Sequence, residues 1–359
     1  MDSRPPSITI NLKEYYMNKT KMGEISLGVK FKDITKPEPI TLNDLKGEVL
    51  TVDASNVIYK FLSTMRRADG TPFRDINGNI TSHLNGIMFQ TASLINKEIK
   101  PVYVFDGKAP ELKKKTQEER INIKKESERK YEEAKKMGDM ETAKKYASRT
   151  SHLTKDIIES SKKLLTYMGI PYVQAITEGE AQASYMVSKN DAWAVVSQDY
   201  DCLQFGATRI LRNFKLSARQ SKDLQIIYLN KTLEQLDLTR EQLIDVAILV
   251  GTDFNEGIHG IGPKKGLNLI HKHQTLENVL KALDKEIEVD PDEIRDIFMN
   301  NEVVDDYDLT FKSPEEDRLL DFLCGDHDFE EKRTMEAIEK LIKGNTQPRN
   351  TQTSLEQWF

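Results

Sequence analysis

Short apolar segments that lead into acidic residues constrain the fold of this chain more than any other feature. Three of them are residues 49–52 before Asp53, residues 102–105 before Asp106, and residues 193–196 before Asp199 and Asp201. β-Branched and bulky side chains favour strands, and the residues between these segments show the apolar spacing of helices. Alternating strands and helices predict an α/β fold with a mainly parallel central sheet flanked by helices.

Further acids fall where helices are predicted to start or end. Glu178 and Glu180 open one predicted helix, and Asp253 follows an apolar one. Ligands of open α/β sheets collect beyond the carboxyl ends of the strands, so the acids of the chain could converge there. Each acid also has a purely structural explanation. Aspartates are common in turns and at helix starts, and Thr177 with Glu180 matches a capping box.

Seven acids in one cleft would repel one another, because neighbouring like charges disfavour joint ionisation. Divalent cations with oxygen ligands relieve that repulsion, and Mg²⁺ sits naturally beside phosphate. His and Cys are absent from these motifs, which argues against Zn²⁺. Two hard cations about 4 Å apart would clamp the attacking and leaving oxygens of a phosphodiester. The residues alone therefore predict a metal-dependent phosphoryl hydrolase.

A charged stretch, residues 108–149, holds fourteen basic and nine acidic residues, although the whole chain has a net charge of −6. A solvated helix with ion pairs between successive turns is the simplest interpretation. The apolar stripe is too thin for burial on one face. We therefore expect a helical hairpin that stands off the core and turns at Gly138 and Asp139. Residues 209–222 are a polar, basic segment, and the next strand is predicted at residues 226–229.

Gly260-Ile261-Gly262 lies between two predicted helices and precedes Lys264 and Lys265. Glycines leave backbone amides bare, so such a loop can hold a phosphate while the lysines add positive charge. These contacts read no bases and suit duplex binding without sequence preference. An ordinary glycine-rich turn is the alternative, but the flanking isoleucines favour a helix-hairpin-helix.

Composition limits the class of protein. Of the 359 residues, 38% are apolar and 31% are charged, which is enough for a core and typical of a soluble surface. Two cysteines make no disulfide framework and no zinc cluster, so we expect a reducing, cytoplasmic compartment. No segment reaches the length of a membrane span. Because the net charge is negative, nucleic-acid binding would depend on local basic patches.

Taken together, the motifs resemble those of the flap endonucleases, the structure-specific 5′ nucleases of replication and repair. The resemblance runs from about residue 28 to 359 and rests on the segments 52–56 (VDASN), 101–107 (PVYVFDG), 178–183 (EGEAQA), 197–201 (SQDYD), 251–253 (GTD) and 260–265 (GIGPKK). The length and the short C-terminal tail look archaeal. The resemblance implies a PIN-like 5′ nuclease fold with a helical arch, and a place at the nucleoid.

Roles for individual residues follow from the same resemblance. Seven acids would hold two Mg²⁺ ions, which Mn²⁺ can replace: Asp53, Asp106, Glu178 and Glu180 the first, and Asp199, Asp201 and Asp253 the second, with Glu180 close to both. Lys113 and Arg120 would neutralise charge at the scissile phosphate and, with Asp199, form the catalytic group. A monovalent cation would sit at the helix-hairpin-helix.

DNA and protein contacts are also implied. Tyr59 would stack on a base near the cut, and a single-stranded 5′ flap would pass through the arch at 108–152. The duplex would bind at Gly260, Gly262, Lys264 and Lys265. The C-terminus resembles a box that binds the sliding clamp (PCNA), with its apolar groups on one side of a 3₁₀ turn. Its residues are Gln352, Leu355, Trp358 and Phe359.

The predicted regions are 1–26 (a disordered extension or a mis-assigned start), 27–124 (N-terminal nuclease region), 108–152 (arch), 153–274 (internal region with the helix-hairpin-helix at 251–272), 275–342 (C-terminal helices) and 343–359 (tail with the clamp box). Family members begin Met-Gly, which falls here on Leu27 and Gly28. We therefore expect translation to start at a leucine-type codon at position 27. Two more departures are Gln90, where many members carry arginine, and Gly266, where alanine is commoner.

Three hypotheses follow for the function. The leading one is a monomeric enzyme that removes 5′ flaps by two-metal hydrolysis in Okazaki fragment maturation and repair, with 5′–3′ exonuclease activity. The second is a non-catalytic, clamp-tethered binder of DNA junctions, which the seven acids disfavour because a binder gains nothing from negative charge beside phosphates. The third is a relative specialised for bubbles or four-way junctions, and the clamp box and short arch favour flaps over these.

Overall fold

A central sheet organises the computed structural model, which describes residues 31–214 and 223–346. Its strands are β1 Glu38–Pro39, β2 Val49–Asp53, β3 Lys100–Phe105, β4 Tyr172–Gln174, β5 Ala194–Val196, β6 Arg209–Arg212 and β7 Gln225–Tyr228. They lie in the order β1-β7-β6-β5-β2-β3-β4. The five strands from β6 to β4 pair in parallel, whereas β7 is antiparallel to both of its neighbours. The mainly parallel sheet predicted from the sequence is confirmed.

Strand β2 lies at the centre of the acid-bearing edge. It pairs in parallel with β3 on one side and with β5 on the other, with Val52 opposite Val196 and Asp53 opposite Val104. Because the three strands run in the same direction, their carboxyl ends open onto the same edge of the sheet. The residues that follow β3 and β5 are therefore placed beside the last residue of β2.

Helices cover both faces of the sheet. The helices before residue 200 are α1 Ala54–Thr64, α2 Ser82–Ile95, α3 Lys114–Lys136, α4 Met140–Ala147, α5 Lys155–Tyr167 and α6 Gly179–Ser188. Those after it are α7 Asp201–Gln204, α8 Leu229–Leu236, α9 Arg240–Val250, α10 Pro263–His273, α11 Leu276–Leu283, α12 Pro291–Met299, α13 Glu316–Leu320 and α14 Glu331–Thr346. In the part of the chain that the structure describes, no helix has the length and apolar content needed to cross a membrane.

Side chains alternate between two hydrophobic cores along β3. Val102 and Val104 belong to one buried cluster, together with residues of α6 and α9. Tyr103 and Phe105 belong to the other, together with residues of α1, α2 and α5. A strand that is buried on both faces is expected in a parallel sheet covered by helices on each side.

The arch is a helical hairpin, as predicted. Helix α3 ends at Lys136, Gly138 takes a φ of 73°, and α4 begins at Met140. The Asp139 side chain caps α4 by accepting a hydrogen bond of 3.0 Å from the Thr142 backbone amide. The two helices pack against each other. Small buried residues let them approach, namely Ser127, Ala134, Ala143 and Ala147.

Residues 240–273 form two helices joined by a glycine-rich loop, which confirms the helix-loop-helix predicted there. Helices α9 and α10 pack against each other, and Ile261 of the loop is buried. The backbone of Gly260 takes a φ of 80°, a conformation that glycine adopts at no steric cost.

Two local predictions were wrong. Residues 209–212 form β6, although the segment is polar at its ends, because Ile210 and Leu211 are fully buried between β5 and β7. From the sequence, an interruption is expected at Lys100 and Pro101 before a strand at residues 102–105, but β3 begins at Lys100 and pairs Pro101 with Leu50. Proline is tolerated near the beginning of a strand. The predictions for residues 1–26 and for the clamp box at 352–359 lie outside the described residues.

Candidate metal centre and nucleic-acid interface

Asp53 links the central strand to the first helix. It is the last residue of β2 and the N-cap of α1, where its carboxylate accepts hydrogen bonds from the Asn56 backbone amide (3.0 Å) and side-chain amide (2.8 Å). Only 6% of the residue is exposed. Burial, together with the nearby charges of Asp106 and Asp199, raises the pKa of Asp53 to about 7. A carboxyl of this kind gains most from a bound cation.

Two glycines allow Asp106 to approach helix α6. The Asp106 Oδ1 atom accepts a hydrogen bond of 2.7 Å from the Gly179 backbone amide. A Cβ atom on Gly179 would lie 2.9 Å from that oxygen, and one on Gly107 would lie 2.2 Å from the Ile176 carbonyl oxygen. Any side chain at either position would push the strand end and the helix start apart. These glycines therefore bring the Asp106 carboxylate next to the acids of α6.

Glu180 lies in the first turn of α6 and faces three other acids. Burial and the charges of Asp199, Asp201 and Asp53 raise the pKa of Glu180 well above its ordinary value. Its Oε1 atom accepts a hydrogen bond of 3.0 Å from the Ser197 hydroxyl.

The capping-box explanation of Glu180 was wrong. The N-cap of α6 is Glu178, and its side chain makes no capping hydrogen bond. The Thr177 hydroxyl donates instead to the Glu302 carbonyl oxygen at 3.3 Å. The Glu180 carboxylate is used by Ser197, a residue that is distant in sequence, rather than by the backbone of its own helix.

The loop after β5 carries Asp199 and Asp201. The Asp199 backbone amide donates a hydrogen bond of 3.0 Å to the Ser197 hydroxyl, and the buried Asp201 is the first residue of the short helix α7. Between them, Tyr200 is buried, with its ring 6.3 Å from the ring of Phe31. Tyr200 thus packs into the core, while the acids on either side remain at the edge.

Lys113 and Arg120 of the arch contact the acidic edge directly. The Lys113 ammonium forms ion pairs with Glu178 Oε1 and, at 3.0 Å, with Asp253 Oδ2. The Arg120 guanidinium lies 3.1 Å and 2.9 Å from the two carboxylate oxygens of Asp253, a residue only 7% exposed. Burial alone would lower the pKa of Lys113, but the carboxylates of Glu178 and Asp253 raise it above its ordinary value. Lys113 therefore stays charged.

The seven predicted acids form one electrostatically connected group. Asp53 interacts with Asp106 and Asp199, and Glu180 with Asp199, Asp201 and Asp53. Glu178 interacts with Asp253 and Asp106, and burial raises its pKa despite the opposing charge of Lys113. The structure therefore brings all seven side chains to the carboxyl edge of the sheet.

This donor set consists of carboxylate oxygens, which are the ligands that Mg²⁺ and Mn²⁺ prefer. Among residues 31–214 and 223–346, no three His, Cys, Asp or Glu side chains are already arranged around one metal position. Lys113 lies between Glu178 and Asp253 and pairs with both carboxylates. The residues therefore fit hard divalent cations by their chemistry. In the structure, the charged side chains of Lys113 and Arg120 lie beside these carboxylates and offset part of their negative charge.

The predicted DNA contacts lie on two surfaces. Tyr59, on α1, is 41% exposed. In the helix-hairpin-helix, Gly262 is the N-cap of α10, and open space surrounds the positions of a Cβ on Gly260 and Gly262. Lys264 and Lys265 lie in the first turn of α10, where the Lys265 ammonium donates to the Gly260 carbonyl oxygen at 3.3 Å. An exposed helix N-terminus with lysines beside it attracts anions.

Three residues of the site were not predicted from the sequence. Ser197 joins Glu180 to the loop of Asp199, Asn56 orients the Asp53 carboxylate, and Thr116 of the arch donates to the Asp253 carbonyl oxygen at 2.8 Å. Only Ser197 and Asn56 had a signal in the chain, because serine and asparagine within three residues of an aspartate often form local turns and caps. The contact of Thr116 joins residues that are 137 positions apart.

Two family models match the chain over the regions just described. The XPG N-terminal domain matches residues 22–127, which include β2, β3 and the start of the arch, and the XPG I-region matches residues 169–253, which include the other five acids. The fold and the acidic edge thus define a nuclease of the XPG class.

Within this class, the chain is similar to individual flap endonucleases in both sequence and structure. Flap endonuclease 1 of Methanosphaera stadtmanae is 69% identical over 333 residues, which are 93% of this chain and all of that protein. Among solved structures, flap endonuclease-1 from Methanococcus jannaschii matches with a TM-score of 0.71 and 41% identity, over 89% of this chain and all of that one. The catalytic core of Rad2 in complex with DNA substrate matches with a TM-score of 0.66 and 27% identity, over 88% and 100% of the two chains.

The chain belongs to the flap endonuclease 1 family. It is a nuclease that hydrolyses phosphodiester bonds, and its function is that of a flap endonuclease.

Proposed function

We propose that this nuclease cuts DNA at 5′ flaps in a reaction that depends on two divalent cations, Mg²⁺ or Mn²⁺. The observation that carries the proposal is the group of seven electrostatically connected carboxylates. The positively charged side chains of Lys113 and Arg120 offset part of their negative charge. Asp53, Asp106, Glu178 and Glu180 would hold one metal ion, and Asp199, Asp201 and Asp253 the other. Metal ions bound there would stabilise negative charge on the attacking and leaving oxygens.

The residues of the chain supply positioning and charge. Lys113 and Arg120 lie at the acidic edge, so a phosphate that enters this edge meets two positive charges. Those charges would stabilise the additional negative charge of the transition state. Tyr59, exposed on α1, would stack on a base beside the cut and hold the strand in register. Hydrolysis would leave a 5′-phosphate on the strand that remains in the duplex and a 3′-hydroxyl on the released flap.

The remaining surfaces would select the substrate. The Gly260–Gly262 loop and the lysines after it would bind the phosphates of the duplex, with a monovalent cation at the helix-hairpin-helix, and the arch would admit a single-stranded 5′ flap. The box at 352–359 would tether the enzyme to the sliding clamp. We further propose that the enzyme is monomeric, also has 5′–3′ exonuclease activity, and works at the nucleoid in Okazaki fragment maturation and repair.

One experiment tests this function against its alternatives. The protein is incubated with flap, bubble, four-way and single-stranded DNA, with Mg²⁺ or with EDTA, and the products are sized. We expect fastest cutting of the flap, only with Mg²⁺, and loss of cutting but retention of binding in Asp199→Asn. Faster cutting of bubbles or four-way junctions would favour a specialised relative, binding without cutting would favour a junction binder, and normal cutting by Asp199→Asn would overturn the site assignment.

A further inference from the structure

Three residues at the start of the arch contact the same residue of the nuclease core, Asp253. Lys113, Thr116 and Arg120 are spaced by three and four positions, so they share one face where the 3₁₀ turn 111–113 continues into α3. All three contact Asp253, which lies in the segment between α9 and the glycine-rich loop. This face is therefore where the arch and the helix-hairpin-helix meet.

The three contacts differ in the part of Asp253 that they use. Lys113 and Arg120 pair with its carboxylate. The half-buried Thr116 instead donates its hydroxyl to the main-chain carbonyl oxygen, at 2.8 Å. This hydrogen bond carries no net charge and does not involve any of the seven carboxylates.

This difference matters for the proposed function, on which the inference rests. To reach a substrate phosphate, Lys113 and Arg120 must release the carboxylates of Glu178 and Asp253, which a divalent cation would then use. The hydrogen bond of Thr116 interferes neither with the release of these carboxylates nor with their binding of a metal ion, because its acceptor is a main-chain carbonyl oxygen. It can persist while the two cationic side chains change partner.

We propose that Thr116 is a positioning residue, which fixes the first turn of α3 on the Asp253 carbonyl so that Lys113 and Arg120 reach the scissile phosphate by moving their side chains alone. The rate of cutting then depends on a hydroxyl group that touches neither the substrate nor the metal ions. Small displacements of groups that face a reacting centre cost much of the rate, which makes such an anchor valuable.

The test compares Thr116→Val and Thr116→Ala, which lack the hydroxyl, with Thr116→Ser, which keeps it. The kcat and KM for a 5′ flap are measured with Mg²⁺, and amide hydrogen exchange of residues 113–120 is followed in the protein without DNA or metal. Loss of one such hydrogen bond should lower kcat about 5- to 10-fold with KM within about twofold, and should speed exchange of the first turn. Thr116→Ser should restore both properties. Gln117→Ala, at the exposed next position, is the matched control and should behave as wild type.

Several results would overturn the proposal. These are an unchanged kcat in Thr116→Val and Thr116→Ala, an equal loss in Thr116→Ser or Gln117→Ala, or a rise in KM that accounts for the whole loss of kcat/KM. Thermal unfolding of each variant shows whether a loss comes from global instability, and Thr116→Ala remains informative if Thr116→Val misfolds. The wild-type reaction separates the two proposals. If it needs no divalent cation the proposed function fails, whereas metal-dependent cutting with unaffected Thr116 variants refutes the positioning role alone.

Discussion

The Ser197 hydroxyl donates a hydrogen bond of 3.0 Å to Glu180 Oε1 and accepts one of 3.0 Å from the Asp199 backbone amide. Ser197 lies just after β5, whereas Glu180 lies in the first turn of α6. One buried hydroxyl therefore joins acids that come from different elements. It fixes the direction of the Glu180 carboxylate although Ser197 carries no charge and is not itself a candidate ligand.

Replacement of Ser197 by alanine should weaken the Mg²⁺-dependent cutting that we propose. Groups that orient a metal ligand typically change metal affinity or activity by about 10- to 100-fold when they are removed. We expect a loss of this size, seen as a higher Mg²⁺ concentration for half-maximal cutting of a 5′ flap. The control is Ser188→Ala, at the exposed end of α6, the helix that carries Glu180. An Mg²⁺ requirement equal to that of wild type would show that Ser197 does not orient Glu180.

Replacement of Lys113 by alanine should slow cutting more than it weakens binding. The side chain lies between Glu178 and Asp253, and its positive charge is expected to act on the transition state. Removing one such preorganised group costs about 10²- to 10³-fold in rate. The single-turnover rate and the Kd for flap DNA are measured separately. Lys114→Ala is the control, because Lys114 is exposed and pairs with Glu111 within its own helical turn. A rate within twofold of wild type would contradict the role of Lys113.

His83 should make the protein less stable in acid. It is 1% exposed, and burial, with the nearby charge of His327, lowers the pKa of His83 to about 3. Its Nε2 atom lies 2.8 Å from the Ser160 hydroxyl, and Nδ1 has no hydrogen-bond partner among the described residues. Below about pH 6.5 the unfolded chain binds a proton at this residue that the folded protein does not bind, so stability falls with pH.

The size of this effect can be measured by denaturant unfolding at pH 7 and pH 5. From this residue alone we expect the free energy of unfolding to be about 2 kcal/mol lower at pH 5. His83→Gln should remove this part of the pH dependence, whereas His259→Gln, at an exposed position, should retain it. An unchanged pH dependence in His83→Gln would mean that the residue titrates equally in both states.

Two glycines of the helix-hairpin-helix should respond to alanine in opposite ways. At Gly266, within α10, a new Cβ would meet Val246, Val250 and Ile261 at 3.4 to 3.7 Å, which is ordinary contact. We expect Gly266→Ala to raise the free energy of unfolding by about 0.5–1 kcal/mol, because alanine favours helix.

Gly251 is the matched case within the same motif. Its φ is 108°, and a Cβ there would lie 2.7 Å from the Glu256 carbonyl oxygen. Gly251→Ala should therefore destabilise the protein by more than about 1 kcal/mol. Denaturant unfolding of both variants under the same conditions tests the pair, and destabilisation by Gly266→Ala would show that α10 cannot accept the methyl group.

Local sequence patterns predicted most of the elements near the site. The strands that end at Asp53 and at Phe105 were found because their residues favour a pleated, buried surface, and the arch turn at Gly138 because glycine accepts a positive φ. Strand β6 was missed because its identity depends on pairing with β5 and β7, which the residues of 209–212 do not reveal by themselves.

The sequence by itself indicated the candidate residues. Residue type and spacing singled out the seven acids and the glycine-rich loop, and the resemblance to the flap endonucleases added Lys113 and Arg120. Only the tertiary structure decided how they meet. In the folded protein the Glu180 carboxylate accepts a hydrogen bond from Ser197 instead of forming a capping box. Arg120 and Thr116 both donate hydrogen bonds to Asp253. The physical reason is that hydrogen bonds and ion pairs depend on distance in space. Residues more than 130 positions apart come within 3 Å only when parallel strands align their ends and an arch folds back over them.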